Sequence, residues 1–424
     1  MPARTLPDAD VLVYQPDRCY KGYTLFCRSF EPKPSQPADR GRVLLVDMEG
    51  QPVHEWSVST GLHQPELRPD GTLYYSTHTY ADMRTHGLYR LAPDSTPLWK
   101  YHCRIDHDYH VGDDGRILIH CLLDRIVPRL GTGLRRNPYL VEINAAQELL
   151  WEWHAEEHVQ ELVDLCGLEI PIDWPRRIRD ELDEQASWAE RFPTRCAADF
   201  AVMMNQRDSI LMEKRLVDLS RQERSDLAQR MIESRTWDWA HNNTVEVLPE
   251  TPTSARDGRF RAGNILFSYR SLDIIGVIDR HSGDIVWAWG PGQLDGQHQP
   301  TMLPNGHFLI FDNGMRRGWS RVIELEPLSG EIVWEYAGTP REDFQATFIS
   351  GAQLLPNGNV LVCDGVHMRL FEVTREKEIV WEYRARRDPV SRNQIYRATR
   401  YAPELVEPLL ASWRQKRAGP SGTR

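Results

Sequence analysis

The sequence predicts an all-β fold, a six-bladed β-propeller with a helical insertion between the third and fourth blades. Three observations carry that expectation. The stretch Gly296-Gln-His-Gln-Pro-Thr-Met-Leu-Pro-Asn-Gly306, continued by His-Phe-Leu-Ile-Phe-Asp312, recurs in weaker copies as a turn, a strand, a Pro-Asn-Gly or Pro-Asp-Gly hairpin and a second strand. A tryptophan after a turn and a short apolar strand returns at Trp56, Trp99, Trp151, Trp287, Trp334 and Trp381, the last three 47 residues apart. A period of roughly 40 to 50 residues with four short strands in each is the mark of a propeller, whose small sheets bury their faces against their neighbours. Between Trp151 and Trp287 the period is interrupted, and residues 155–235 become charged and helical in pattern.

The first strands are Tyr23-Thr-Leu-Phe-Cys27 and Arg42-Val-Leu-Leu-Val-Asp47, and Gln51-Pro-Val-His-Glu-Trp56 closes that blade. Each later tryptophan serves its own blade as an aromatic wedge between sheets. Within the insertion, Ser220-Arg-Gln-Glu223 reads as a capping box, and Leu227, Met231 and Ile232 follow at helical spacing. An excursion of this length serves as a lid over the channel mouth or as an oligomer contact, and its position beside histidine-bearing strands favours the lid. The propeller is expected over 11–401, with 155–235 as the insertion and 402–424 as a C-terminal tail whose last residues are disordered.

Composition narrows the partners. With 41% hydrophobic and 26% charged residues the 424-residue chain has material for a large core. The 51 basic against 61 acidic residues give a net charge of −10, with no basic stripe, which argues against nucleic acid. No stretch approaches a membrane span and the first residues lack the apolar centre of a signal peptide, so a cytoplasmic protein without a membrane partner is expected. The seven cysteines are scattered, with no Cys-x-x-Cys pair, and suit reduced thiols better than a disulfide framework or a zinc cluster.

Candidate chemistry lies in the histidines. His63, His107 and His298 each stand eight residues before a hairpin glycine, and His241 sits about two positions further out in its own unit. His110 follows three residues after His107, and Ser350 takes the slot in the sixth unit. The segment leading into the innermost strand of a propeller faces the central channel, so these residues converge there although they are far apart in sequence. Recurrence in four of six units favours a polar site, while a turn that merely suits histidine is the plain alternative. The other histidines, His367 among them, have no slot and read as surface or packing residues. Arg316 and Arg317, in Phe311-Asp-Asn-Gly-Met-Arg-Arg-Gly318, reach the same rim, where a guanidinium fork holds an anionic oxygen group or makes a surface ion pair. Arg397 and Arg400 repeat that idea near the C-terminus.

Taken together, Gly-Gln-His298-Gln-Pro-Thr-Met-Leu-Pro-Asn-Gly with Asp312-Asn-Gly, Trp-Ala-His241-Asn-Asn-Thr-Val-Glu, Ser350-Gly-Ala-Gln-Leu-Leu-Pro-Asn-Gly-Asn and Ile395-Tyr-Arg-Ala-Thr-Arg-Tyr resemble the arylsulfotransferase family of bacterial propeller proteins. The resemblance covers nearly everything from Gly22 to Tyr401 outside the insertion. It implies transfer of a sulfo group from an aryl sulfate to a phenol through a sulfated histidine, without a nucleotide donor or another cofactor. On the matching motifs His241 and His298 would bind or activate the sulfate, and Arg316 or Arg317 would clamp its oxygens. His107 completes the catalytic set, and His63, His110, Asn242 and Arg397 complete the substrate-binding set. If the family's sulfated histidine belongs to the sixth-blade slot, this chain carries Ser350 there instead. The missing signal peptide, the odd cysteine count and the helical insertion also depart from exported, disulfide-bonded members.

Two other readings stay open at the level of the residues. Imidazoles from His63, His107, His241 and His298 can hold a divalent or transition metal with an open position, for a lyase, hydrolase or oxidase of a small molecule. A non-enzymatic propeller scaffold is the second. A quinone-cofactor dehydrogenase, suggested by His281-Ser-Gly-Asp-Ile-Val-Trp287, lacks the additional blades and the cofactor floor. The expected partner is a small-molecule substrate, with self-association through the insertion as a further expectation.

Overall fold

The computed structural model describes residues 9–31, 41–58, 62–77, 86–131, 133–170, 172–191, 219–233, 237–385 and 392–418. Its six antiparallel sheets make a six-bladed β-propeller. The chain divides into two compact units, residues 1–108 with 349–424 and residues 109–348, the division falling inside the first strand of the third blade, Ile105–Val111.

The first unit holds blades one, two and six. Blade two runs in plain sequence order through Leu62–Leu67, Leu73–Thr77, Gly87–Leu91 and Pro97–Tyr101. Blade one is assembled differently. Its order is Arg392–Tyr401, Tyr23–Glu31, Gly41–Val46, Pro52–Val58, so residues that approach the tail in sequence take the place that Leu62–Leu67 holds in blade two. Blade six, from Gly351–Leu354 to Ile379–Ala385, gains Ala9–Tyr14 as a fifth strand.

Inner strands such as Leu73–Thr77 and Val360–Asp364 are buried throughout, the outer strand Pro52–Val58 alternates, and burial of both faces holds the sheets together. Phe26, Leu44, Leu361, Leu370, Trp381 and Ile395 form one core between blades one and six. The buried Trp381 donates its indole N–H to the Met48 carbonyl at 2.8 Å, which fixes the wedge as well as burying it. Between blades one and two, Leu25, Val43, Trp56, Leu67 and Leu73 are joined by Val406, Leu410 and Trp413 of the C-terminal helix Pro403–Ala418.

The second unit holds the rest of blade three with blades four and five. Blade four comprises Asn242–Val247, Ile265–Tyr269, Ile274–Ile278 and Ile285–Trp289, and blade five His298–Met302, Phe308–Asp312, Arg321–Glu326 and Glu331–Ala337. The insertion supplies three helices: α1, Val159–Cys166; α2, Trp174–Arg191; and α3, Arg221–Glu233. Both halves of the capping box form, with the Glu223 N–H donating to Ser220 Oγ at 3.2 Å and the Ser220 N–H to Glu223 Oε2 at 2.7 Å. Gly167, at φ 65°, ends α1 in the left-handed conformation that suits glycine. Val159 and Leu162, three residues apart, turn the same face of α1 into a core with Trp153, Trp174 and Ile285. Arg177 of α2 reaches Asp273 at 2.6 Å, and Arg224 of α3 reaches Asp183 of α2 at the same distance. These helices therefore share a core and ion pairs with blades three and four.

Among the described residues no helix is long and apolar enough to cross a membrane. Six described cysteines are free thiols, and burial pushes those of Cys27 and Cys363 well up.

Candidate functional site

A backbone feature recurs along the first strand of four blades. In blades one, two, four and five, three residues of that strand face two of the next, between Ile395 and Ala398, Leu62 and Pro65, Asn242 and Val245, and His298 and Thr301. Each is a bulge, which re-aims side chains out of the pleat. Non-glycine residues enter the left-handed region at the same place: His107 at φ 62°, His241 at 49°, Gln299 at 46°, and Ile349 and Ser350 at 48° and 82°. Such conformations cost of order 1–3 kcal/mol each and gather at functional sites.

In the second unit His298 is almost fully buried and its Nδ1 lies 3.2 Å from the Gly296 carbonyl and 2.7 Å from Asn313 Oδ1. The Asn313 amide nitrogen donates to the Ala346 carbonyl at 2.7 Å, so the amide oxygen is the atom that faces the ring. Both neighbours of Nδ1 are acceptors. Nδ1 therefore carries a proton. His241 is held in the same way, with its backbone N–H and its Nδ1 on Asp238 at 2.8 and 3.0 Å and its side chain 30% exposed. Asn242 is buried and accepts the Ser268 N–H at 3.0 Å, while Asn243 donates to the Gln297 carbonyl at 2.7 Å. The second bond ties the start of blade four to that of blade five.

The two predicted anion-binding arginines are both engaged. Arg316 bonds Asp295 through Nε at 2.9 Å and Asp273 through Nη2 at 2.7 Å, and Asp273 also takes Arg177 of the insertion. Arg317 lies 3.1 Å from Asp312, which Arg321 holds at 2.8 Å. Burial raises the Asp312 carboxyl above its ordinary range, against the pull of Arg317 and Arg321. An incoming anion has to share these guanidiniums with carboxylates.

In the first unit His107 Nδ1 lies 2.6 Å from Asp106 Oδ2, and the ring stands 5.9 Å from that of Tyr396. Arg397 donates to Gln64 at 2.8 Å and to the buried Asp108 at 3.3 Å. Arg400, by contrast, is sealed between blades one and six against Glu372, with both side chains fully buried. The strand of His63 is defined, but its side chain lies outside the described residues; His110 is half-buried in the strand of His107. Ser350, in the sixth-blade slot, accepts the Gly365 N–H at 3.1 Å.

Sequence reasoning missed the groups that orient the histidines. Asp238 and Asp364 each stand three residues before a histidine, and His367 Nδ1 lies 2.8 and 3.0 Å from the two oxygens of Asp364. The repeated Asp-x-x-His spacing was a signal for both pairs. Nothing local points to Asp273 or Asp295 as partners of Arg316.

A family model described as arylsulfotransferase (ASST) matches residues 35–295, more than half of the chain, and a second model of the same description matches residues 205–386. The chain belongs to the arylsulfotransferase family. No curated protein matches it. Among solved structures, a protein of unknown function from Bacteroides caccae is 12% identical at a TM-score of 0.48, covering 90% of this chain and 99% of that one. A catalytically inactive variant of virginiamycin B lyase from Staphylococcus aureus, solved with quinupristin, is 11% identical at 0.37, covering 78% and 72%. Hydrazine synthase from Kuenenia stuttgartiensis is 10% identical at 0.40, covering 79% and 71%. None of these likenesses bears on the chemistry of this arylsulfotransferase family member.

Proposed function

We propose that the chain is an arylsulfotransferase-like enzyme of the cytoplasm that transfers or cleaves a sulfuryl or similar anionic group on a small aromatic molecule through histidine. The observation that carries this reading is the common anchoring of His107, His241 and His298 through Nδ1. An imidazole held this way offers Nε2 as a nucleophile, or as a donor to a sulfuryl oxygen once protonated, without spending energy on reorientation. In the second unit Arg316 and Arg317 supply positive charge, with Asn242 and His110 as further contacts, and in the first unit Arg397 and His63 take those parts. Sharing these arginines with aspartates weakens the grip on a free anion. The sulfate ester is then selected by its reacting geometry rather than by ground-state charge alone.

The reaction needs neither a metal nor a nucleotide. Purified protein incubated with 4-nitrophenyl sulfate and a phenol is expected to release 4-nitrophenol and form the new aryl sulfate. Silence across several aryl sulfate donors would overturn the proposal. Metal analysis of protein purified without a polyhistidine tag separates the metal-dependent alternative, because turnover by metal-free protein excludes it. Self-association through the insertion is read from the sedimentation of the intact chain.

A further inference from the structure

Blade six has no histidine in its slot, yet it has one beside it. We infer that His367 Nε2 is the nucleophile that carries the sulfo group, an assignment that rests on the sulfotransferase reading above. Four observations on the first unit support it. Asp364 is buried, its side chain 4% exposed, and both of its oxygens lie within reach of His367 Nδ1, at 2.8 and 3.0 Å. The ring itself is 35% exposed, more open than His107 at 12%. Residues 364–368 are pinned as a turn: the Gly365 N–H goes to Ser350 Oγ, and the Gly365 carbonyl takes the N–H groups of Ile395 at 3.1 Å and Met368 at 3.3 Å. Position 365 also tolerates no side chain, since a Cβ there would stand 1.9 Å from the Ile395 carbonyl oxygen.

Ser350 thus serves the histidine by holding its turn. The strand that receives the turn, Arg392–Tyr401, carries Arg397, whose guanidinium lies on Gln64 and Asp108. His307 also bonds a carboxylate, Glu324, at 2.7 Å, but it follows the hairpin glycine at the opposite end of its strands from the slot.

The step balances without an outside oxidant or reductant. The Nε2 lone pair of His367 attacks the sulfur of an aryl sulfate, the N–S bond forms as the S–O(aryl) bond breaks, and the aryl oxide leaves with the bonding pair to take a proton from water. The sulfated ring keeps its Nδ1 proton and is cationic, and the Asp364 carboxylate stabilises that charge. A phenol then attacks sulfur, the N–S pair returns to Nε2, and the phenolic proton passes to solvent.

The test uses the full chain with 4-nitrophenyl sulfate and no acceptor, quenched in base and digested for peptide mass mapping. A sulfo group on the peptide that contains His367, with a stoichiometric burst of 4-nitrophenol, is expected. His367→Gln should abolish burst and label and lower turnover by on the order of 10³-fold or more, with an unchanged unfolding midpoint. Asp364→Asn should keep the label site while slowing the burst by on the order of 10²-fold. A label that maps to His107, His241 or His298, or a burst that survives in His367→Gln, overturns the assignment and leaves the sulfotransferase reading standing. Absence of 4-nitrophenol release by the unaltered protein sinks the reading itself.

Discussion

Blades five and six share a plan for the second and third strands and differ in how the aspartate there is partnered. In both, the second strand ends in an aspartate and the third begins with an arginine paired across the ladder, Asp312 with Arg321 and Asp364 with Arg369. In blade five the aspartate is fully buried and takes two arginines, the turn presents Asn313, and the histidine occupies the slot. In blade six the slot is serine, Arg369 turns to Glu382 at 2.9 Å, and the released aspartate orients a histidine on the turn. In these two blades the imidazole stands in different places, and the partner of the aspartate differs with it.

Substitutions can break that comparison. The largest expected effect is on turnover: His298→Asn lowers kcat/KM by on the order of 10³-fold, whereas Ser350→Ala, which touches no reacting atom, lowers it by less than about tenfold. Equal losses at the two slots, measured with 4-nitrophenyl sulfate, would show that the slot and not the imidazole governs the chemistry. Next is stability. Arg321→Met removes one of the two guanidiniums from a fully buried carboxylate and should cost about 3 kcal/mol in urea unfolding. Arg369→Met should cost roughly half of that, because Glu382 keeps Arg384 and is nearer to water.

The smallest effect separates the blades by sign. Burial holds the Asp312 carboxyl above its ordinary 3.8, so the native state binds the extra proton, and its contribution falls as pH rises from that value through the raised native one. Glu382 behaves oppositely. Partial burial pushes it up, but the hydrogen bond and charge of Arg369 and the charge of Arg384 outweigh that and hold it below 4.5. Its contribution is present above that value and is lost as pH falls through the lowered native one. Relative to wild type, Asp312→Asn should therefore look more damaging in acid than at neutrality and Glu382→Gln less so. Urea titrations at about pH 4 and about pH 7 decide it.

Much of the fold was legible because its signals are local. Hairpin glycines, strand alternation and the returning tryptophans each act within a few residues, and the Ser220–Glu223 capping box was readable for the same reason. The origin of the first strand of blade one was not, since its pairing with Tyr23–Glu31 joins residues more than 350 positions apart. Among the histidines anchored through Nδ1, slot counting singled out His107, His241 and His298 but passed over His367, which stands on a turn beside an aspartate rather than at a fixed distance from a glycine. Counting also ran through the bulges unaware of them, for an extra residue in a strand leaves no mark in composition. The engagement of Arg316 by Asp273 and Asp295 exists only once two blades are side by side.

The way blade one is closed has a consequence for how the protein is made. The apolar edge of Tyr23–Glu31 leaves the ribosome long before Arg392–Tyr401 does, and at ~5–20 residues per second the wait is roughly 20–70 s. During that interval a strand edge stands open to any passing chain. A nascent polypeptide halted before residue 392 holds five completed repeats and one that can only be finished by a stranger, which makes interrupted synthesis a hazard this architecture carries.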